Sequence, residues 1–117
     1  MLGDISKASK IYIIAGYTDM RRGIDGLMSI IYHTYELDPY SNALYIFCGR
    51  RSDRIKALYY EKDGFTLLYK RLESGRYQWP RNKREAMLLN RQQLRWLLEG
   101  LTIEQPKAIK HVKTRSF

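Results

Sequence analysis

The densest group of phosphate-binding residue types in the sequence lies between residues 50 and 56. Arg50, Arg51, Arg54 and Lys56 fall within this short stretch. The planar guanidinium of arginine can donate two parallel hydrogen bonds to one phosphate, so such a group predicts a phosphate-binding surface. The alternative is that Asp53 and neighbouring acids pair with these bases. Both interpretations place the group where one strand turns into the next.

Two further groups of basic residues are candidates for the same surface. Arg21 and Arg22 precede a predicted helix, where Asp19 or Asp25 could pair with them instead. A buried ion pair there would be structural, whereas exposure would favour a ligand or a partner. The other candidates flank the last predicted hairpin: Lys70, Arg71 and Arg76.

The net charge of +9, from 21 Lys and Arg against 12 Asp and Glu, predicts a polyanionic partner. Residues 50–84 hold eleven basic and four acidic residues, and residues 106–117 hold four basic residues and no acid. Such a field attracts nucleic acid, although runs of Lys and Arg are often only a solvated surface. DNA, held mainly by its phosphate backbone, is therefore the expected partner.

Residue types that carry catalysis are sparse. A two-metal nuclease needs several converging carboxylates, and the aspartates here are explained by turns, a helix cap or a neighbouring arginine. His33 and His111 have no obvious Cys, Ser or carboxylate partner, and Cys48 in an apolar strand is typical of a core residue. Neither a glycine-rich phosphate loop nor a zinc-binding spacing is present. The sequence predicts no enzyme, no metal site and no cofactor.

Length and composition limit the class of protein. At 117 residues a single domain is the default, and no run approaches the roughly 20 apolar residues of a membrane span. The N-terminus lacks the pattern of a secretory signal, and the lone Cys48 cannot form an internal disulfide. We expect a soluble cytoplasmic protein that is associated with the nucleoid when it binds DNA.

The elements that must position these residues are predicted to form an α+β fold. A single domain over residues 1–104 would contain an antiparallel β-meander sheet of about four to five strands packed with two helices. Segments rich in Tyr, Ile, Leu and Phe are separated by turn-forming sequences, which favours antiparallel hairpins. Residues 105–117 are predicted to be a basic, flexible tail. The predicted strands are 11–15, 44–48, 55–61, 65–71, 76–79 and a short edge strand at 87–89.

Both helices are predicted from apolar residues at helical spacing. The first spans residues 24–35, with Thr18 or Asp19 as its N-cap. The second begins at Asn90, which opens a capping-box pattern, and ends at Gly100 as a left-handed C-cap. Its buried side is expected to consist of Leu94, Leu97, Leu98 and Leu101.

The tyrosines allow two interpretations. Aromatic rings on an open sheet can stack on unpaired bases, and half-buried strands also favour tyrosine for packing. Packing is the expected role of Tyr45, Tyr59, Tyr60, Tyr69 and Tyr77.

Five blocks of sequence carry a family resemblance. One contains Gly-Tyr-Thr-Asp-Met-Arg-Arg-Gly and another contains Phe-Cys-Gly-Arg-Arg-Ser-Asp-Arg; the five blocks are residues 16–27, 42–56, 58–65, 69–80 and 93–101. In this order they resemble the TnpB-type (second reading frame) accessory proteins of the insertion-sequence sixty-six family. The resemblance implies a small protein of a bacterial mobile element, needed beside a separate transposase that carries the acidic catalytic residues. It implies no catalytic residue in this chain.

The leading hypothesis is a non-catalytic accessory protein for DNA transposition that binds DNA through a basic surface. The alternative is a protein adaptor that binds the transposase, or another element-encoded protein, without touching DNA. A third hypothesis is a small basic domain that binds or cleaves RNA.

Overall fold

A five-stranded sheet organises the chain, and the computed structural model describes residues 8–81 and 84–107. Two helices pack on this sheet, which confirms the predicted α+β class. The strands are β1 (Lys10–Ile14), β2 (Ala43–Cys48), β3 (Arg54–Glu61), β4 (Gly64–Arg71) and β5 (Ala86–Leu89). Their order across the sheet is β4-β3-β2-β1-β5.

The strand pairing combines the predicted meander with one parallel pair. β2, β3 and β4 are antiparallel neighbours, as predicted, and β5 is an edge strand antiparallel to β1. β1 pairs with β2 in parallel, because a helical segment crosses between them. With these directions, β1, β2 and β4 all finish at the same end of the sheet.

The predicted strand at residues 76–79 is wrong, since none of the described strands pairs with this segment. It nevertheless alternates like a strand, with Tyr77 and Trp79 buried and Arg76 and Gln78 exposed. Trp79 is anchored by a 2.9 Å hydrogen bond from its indole Nε1 to the carbonyl of Ile14. The alternating exposure of these side chains therefore shows that the segment packs against the sheet, although it is not one of the strands.

The first helical segment is shorter in its α-helical part than the pattern suggests. α1 (Ile24–Ser29) continues into a wider π-helical turn, Ile30–Thr34, in which the amide of Tyr35 bonds the carbonyl of Ile30. Gly23 is its N-cap, so the predicted cap at Thr18 or Asp19 is wrong. Leu27 and Ile31 are fully buried, and they fix this segment on one face of the sheet.

The second helix, α2 (Arg91–Leu98), begins and ends as predicted. The Gln93 amide donates to Asn90 Oδ1 at 2.8 Å and the Asn90 amide donates to Gln93 Oε1 at 2.9 Å, which completes the capping box. Gly100 has the left-handed backbone, with φ of +85°. Leu97 is fully buried, but Leu98 and Leu101 stay exposed, contrary to the predicted apolar side.

Replacing Asn90 with alanine should lower the free energy of unfolding by about 1 kcal/mol, because the Gln93 amide at the start of α2 loses its side-chain acceptor. Urea denaturation followed by circular dichroism measures the change. The matched control is Gln92→Ala, an exposed position two residues after the cap and inside the helix. Equal stability of the two variants would contradict a stabilising role for the cap.

Each face of the sheet carries its own core. All six residues of the central strand β2 are buried, which explains why its sequence is apolar throughout. The α1 segment covers one face, over Tyr45, Phe47 and Leu58. α2 and the segment around Trp79 cover the other face.

No helix within the described ranges is long and apolar enough to cross a membrane. The predicted tail, residues 105–117, lies outside the described residues from residue 108 onward.

Candidate nucleic-acid interface

Nine arginines gather at the end of the sheet where β1, β2 and β4 finish, which we call the basic end. It comprises the loops at residues 15–23, 49–53, 72–81 and 84–85, together with the adjoining strand ends. Seven of the nine are exposed, and Arg54 and Arg81 are partly buried. The full set is Arg21, Arg22, Arg50, Arg51, Arg54, Arg71, Arg76, Arg81 and Arg84.

The opposite end of the sheet has the opposite balance of charge. Among the residues that the structure describes, the loops, strand ends and helix start there carry four acidic and three basic residues. These residues are Glu36, Asp38, Glu61, Asp63, Lys10, Lys62 and Arg91. The charge of the described residues is therefore polarised along the strands, with the cationic excess at one end.

The turn between β2 and β3 is held in place from behind by Arg81. The Nη2 group of Arg81 donates to the carbonyls of Gly49 and Arg50, at 2.8 and 3.1 Å, and to Ser52 Oγ at 2.6 Å. The Tyr77 amide adds a 2.7 Å bond to the carbonyl of Ser52, whose φ is +60°. Non-glycine residues rarely adopt this backbone, so the bonds around Ser52 stabilise a turn that its own sequence does not favour.

The loop after β1 is tied to the same turn and to the segment before β5. The Thr18 amide donates to the carbonyl of Cys48, and the Gly16 amide donates to the carbonyl of Pro80, both at 2.8 Å. Three loops that are distant in sequence thus form one bonded surface. Sequence reasoning missed this because such backbone bonds leave no mark on residue type.

Arg21 is paired with Asp19, as one alternative from the sequence proposed. The Arg21 guanidinium donates to both Asp19 oxygens, with the shortest contact at 2.8 Å, and the Arg21 amide donates at 2.9 Å. These hydrogen bonds hold the pKa of the Asp19 carboxyl well below its usual range. The pair is exposed, with 91% of the Arg21 side chain accessible, so it is not the buried structural pair.

Arg50 lies against an aromatic ring at the surface. Its guanidinium carbon is 4.8 Å from the centroid of the Tyr17 ring, and its Nη2 donates to the Tyr17 hydroxyl at 3.2 Å. The Arg81 guanidinium lies 5.3 Å from the same ring. Tyr17 remains 54% exposed between these contacts. The sequence singled out neither Tyr17 nor Arg81.

Arg54 and Arg71 lie directly opposite each other on β3 and β4. Like charges in this position destabilise a sheet, and a bound anion would remove the repulsion. Asp53 compensates only partly, since its Oδ1 is 3.6 Å from Arg54 Nε and neither buried atom has a hydrogen-bond partner. Pairing with Asp53 therefore applies to Arg54 and does not extend to Arg51 or Arg71, which are exposed.

The remaining basic residues predicted from the sequence, Lys56, Lys70 and Arg76, do not all lie beside Arg54 and Arg71. Lys56 Nζ donates to the carbonyl of Arg22 at 2.8 Å and lies 5.6 Å from the centroid of the Tyr69 ring, so it braces the loop. Lys70 pairs in register with Ile55, on the sheet face opposite to Lys56 and Arg71. The backbone of Arg76 passes the end of α2, where its carbonyl approaches Gly100. Lys70 thus lies on the other face of the sheet from Lys56 and Arg71, and Arg76 belongs to the basic end on the side that α2 covers.

The tyrosines are used mainly for packing. Tyr45, Tyr59 and Tyr77 are buried, and the Tyr45 ring stacks on Tyr12 with centroids 5.4 Å apart. Tyr69 is 52% exposed. No exposed row of rings therefore forms along the described strands. The structure thus does not support stacking of unpaired bases on the face of the sheet.

Cys48 is buried beneath the turn, in the core as expected. Burial raises the pKa of its thiol to about 11, against a smaller lowering by the Arg81 guanidinium. A thiol of this kind is unreactive at neutral pH. Within residues 8–81 and 84–107, no three His, Cys, Asp or Glu side chains converge as a metal site.

The sequence is similar to two curated relatives from Sinorhizobium fredii (strain NBRC 101917 / NGR234). The uncharacterized protein y4hO is 32% identical over 84% of this chain and 85% of the relative. The uncharacterized protein y4jC is 30% identical over 82% of each chain. No solved structure matches. The model of the family described as IS66 Orf2 like protein matches residues 9–108. The chain therefore belongs to the IS66 Orf2-like family, as its sequence blocks predicted, and this membership suggests an accessory role in transposition.

Proposed function

We propose that the protein is a non-catalytic accessory factor that holds DNA at its basic end while a separate transposase performs the chemistry. The observation that carries the proposal is the polarised charge: nine arginines at one end of the sheet, and an excess of acids at the other. Arginine suits this role because its guanidinium forms paired hydrogen bonds with phosphate.

The bonded loops explain how the surface would act. Arg50 and Arg51 lie on the turn that Arg81 braces, and Arg71 lies at the adjoining strand end. A braced turn presents its guanidinium groups with little ordering cost on binding. Contacts of this type recognise the phosphate backbone, so we expect affinity with little sequence preference.

Binding of the purified protein to labelled DNA tests the proposal. Fluorescence anisotropy with an element-end duplex, a shuffled duplex of equal length and a single strand would be recorded across a salt series. The logarithm of the binding constant should fall linearly with the logarithm of salt concentration, with a slope of about −0.9 for each phosphate contact on duplex DNA. Absence of binding to all three DNAs at about 50 mM salt would overturn the proposal.

A second candidate function, the protein adaptor, is favoured by one observation at the opposite end of the sheet. Tyr40 is 56% exposed and packs on Tyr60 and Phe65 with centroids 5.0 and 5.2 Å away, forming an aromatic surface. Aromatic residues are enriched at protein interfaces. An adaptor would co-purify with the transposase after nuclease treatment and in about 0.5 M salt, where screening confines electrostatic attraction to a few ångströms.

A further inference from the structure

A cleft of about 550 Å³ opens at the basic end between residues 17–20 and residues 49–54. Its lining includes Tyr17, Arg50, Arg51 and Arg54. The site is thus concave, cationic and partly aromatic. Flat phosphate-binding surfaces need neither the concavity nor the ring.

The shape of the cleft fits an unpaired nucleotide better than the groove of a duplex. The major groove of a duplex is about 12 Å wide and is entered by a protruding helix or ribbon, which the cleft does not provide. A nucleotide freed from its base-pairing partner instead projects outward, and it offers an open base face together with its phosphate.

The side chains of the cleft match these two components. The Tyr17 ring contacts the guanidinium of Arg50 and, with 5.3 Å between the guanidinium carbon and the ring centroid, that of Arg81, so an aromatic and cationic unit is ordered before any ligand arrives. The two carboxylates of the cleft, Asp19 and Asp53, lie beside Arg21 and Arg54, which reduces their repulsion of a phosphate. Arg51 remains exposed at the cleft.

We propose that this cleft binds one unpaired nucleotide of the DNA, with the base against the Tyr17–Arg50 unit and the phosphate near Arg51. The inference rests on the proposed function and deepens it. It assigns to the protein a preference for DNA with a single-stranded extension, as at a frayed or processed end, over a fully paired duplex.

The test compares one labelled duplex in three forms: blunt, with a three-nucleotide overhang, and with the same overhang made abasic. The wild-type protein should bind the normal overhang at least about fivefold more tightly than the blunt form, since a stacked base contributes this much or more. The abasic overhang should bind like the blunt duplex, because it keeps the phosphates and lacks the bases.

Variants at Tyr17 localise the effect. Tyr17→Leu should reduce the preference for the overhang, which is the ratio of the overhang and blunt-duplex affinities of the same variant, to about one. Tyr17→Phe retains the ring and should retain most of the preference. The matched control is Tyr32→Leu, a similarly exposed tyrosine in the π-helical turn outside the cleft, which should leave the preference unchanged.

Three results would overturn the inference while leaving phosphate binding intact: equal affinity of the wild type for blunt and overhang DNA, equal affinity for the normal and abasic overhangs, or a preference that survives Tyr17→Leu. Failure to bind any of the three duplexes would overturn the proposed function as well.

Discussion

Replacing Arg81 with alanine is expected to lower the free energy of unfolding by about 2–4 kcal/mol. The variant removes the donor that bonds the carbonyls of Gly49 and Arg50 and the hydroxyl of Ser52. The partly buried acceptors lose their donor, and the left-handed backbone of Ser52 loses one of the contacts that hold it. All three bonds come from Nη2, and the ammonium of Arg81→Lys keeps the charge without reaching the same position, so this variant should recover only part of the loss.

Urea denaturation followed by tryptophan fluorescence measures this effect, since Trp79 lies two residues from Arg81. The matched control is Arg76→Ala, an exposed arginine of the same segment, which should change stability by less than about 0.5 kcal/mol. Similar stability of Arg81→Ala and Arg76→Ala would show that the turn does not depend on the guanidinium. If Arg81→Ala does not fold, Arg81→Lys provides the comparison.

The Arg81 variants also distinguish an indirect effect on the β2–β3 turn from direct contact between Arg81 and DNA. Arg81 is partly buried and directed toward the turn, so its loss should weaken DNA binding through disorder of Arg50 and Arg51. Arg81→Lys preserves the net charge, and weaker binding by this variant would therefore report the geometry of the turn.

The part of the fold that could be predicted is the part that local patterns encode. Turn residues separate β2, β3 and β4, so consecutive strands pair as hairpins. The capping box at Asn90 and the left-handed Gly100 likewise depend on neighbours within a few residues. The parallel pairing of β1 with β2 depends on a contact between segments some thirty residues apart, which apolar periodicity does not specify.

Segment 76–79 shows why a correct periodicity predicted the wrong element. Tyr77 and Trp79 are buried at alternate positions, as in a strand, because the segment lies along the sheet. The Tyr77 amide bonds to Ser52 in the β2–β3 turn, and the bond to Ile14 of β1 comes from the Trp79 side chain, so the backbone of the segment pairs with none of the described strands. Alternation records which side chains face the core, whereas strand pairing depends on the partner of each backbone group.

The candidate site was predictable in composition more than in geometry. The cluster at residues 50–56 does lie where β2 turns into β3. However, Lys56 braces the carbonyl of Arg22, and Lys70 faces away from Arg71 because side chains alternate across a strand. The bracing role of Arg81 could not be recognised, since in the sequence it is one more base in a basic stretch.

The double variant Arg51→Gln with Arg71→Gln is expected to weaken duplex binding by about 100-fold at 50 mM salt, if each arginine neutralises one phosphate. Both side chains are exposed, and Arg71 lies opposite Arg54, so its removal relieves repulsion and should not destabilise the sheet. The slope of the salt dependence should become less steep by about 2, and the variant should approach the wild type as salt rises toward 1 M.

The matched control is the double variant Lys10→Gln with Lys62→Gln, which removes the same charge from the opposite end of the sheet. Long-range attraction through the solvent is screened within about 10 Å at 0.1 M salt, so this control should bind within threefold of the wild type and keep its slope. Anisotropy titrations on one duplex at four salt concentrations distinguish the two variants. If both lose affinity equally, the protein attracts DNA by net charge alone and the basic end is not an interface. A loss confined to Arg51 and Arg71, with a changed slope, would place phosphates on that end and make the polarity of the sheet the basis of its function.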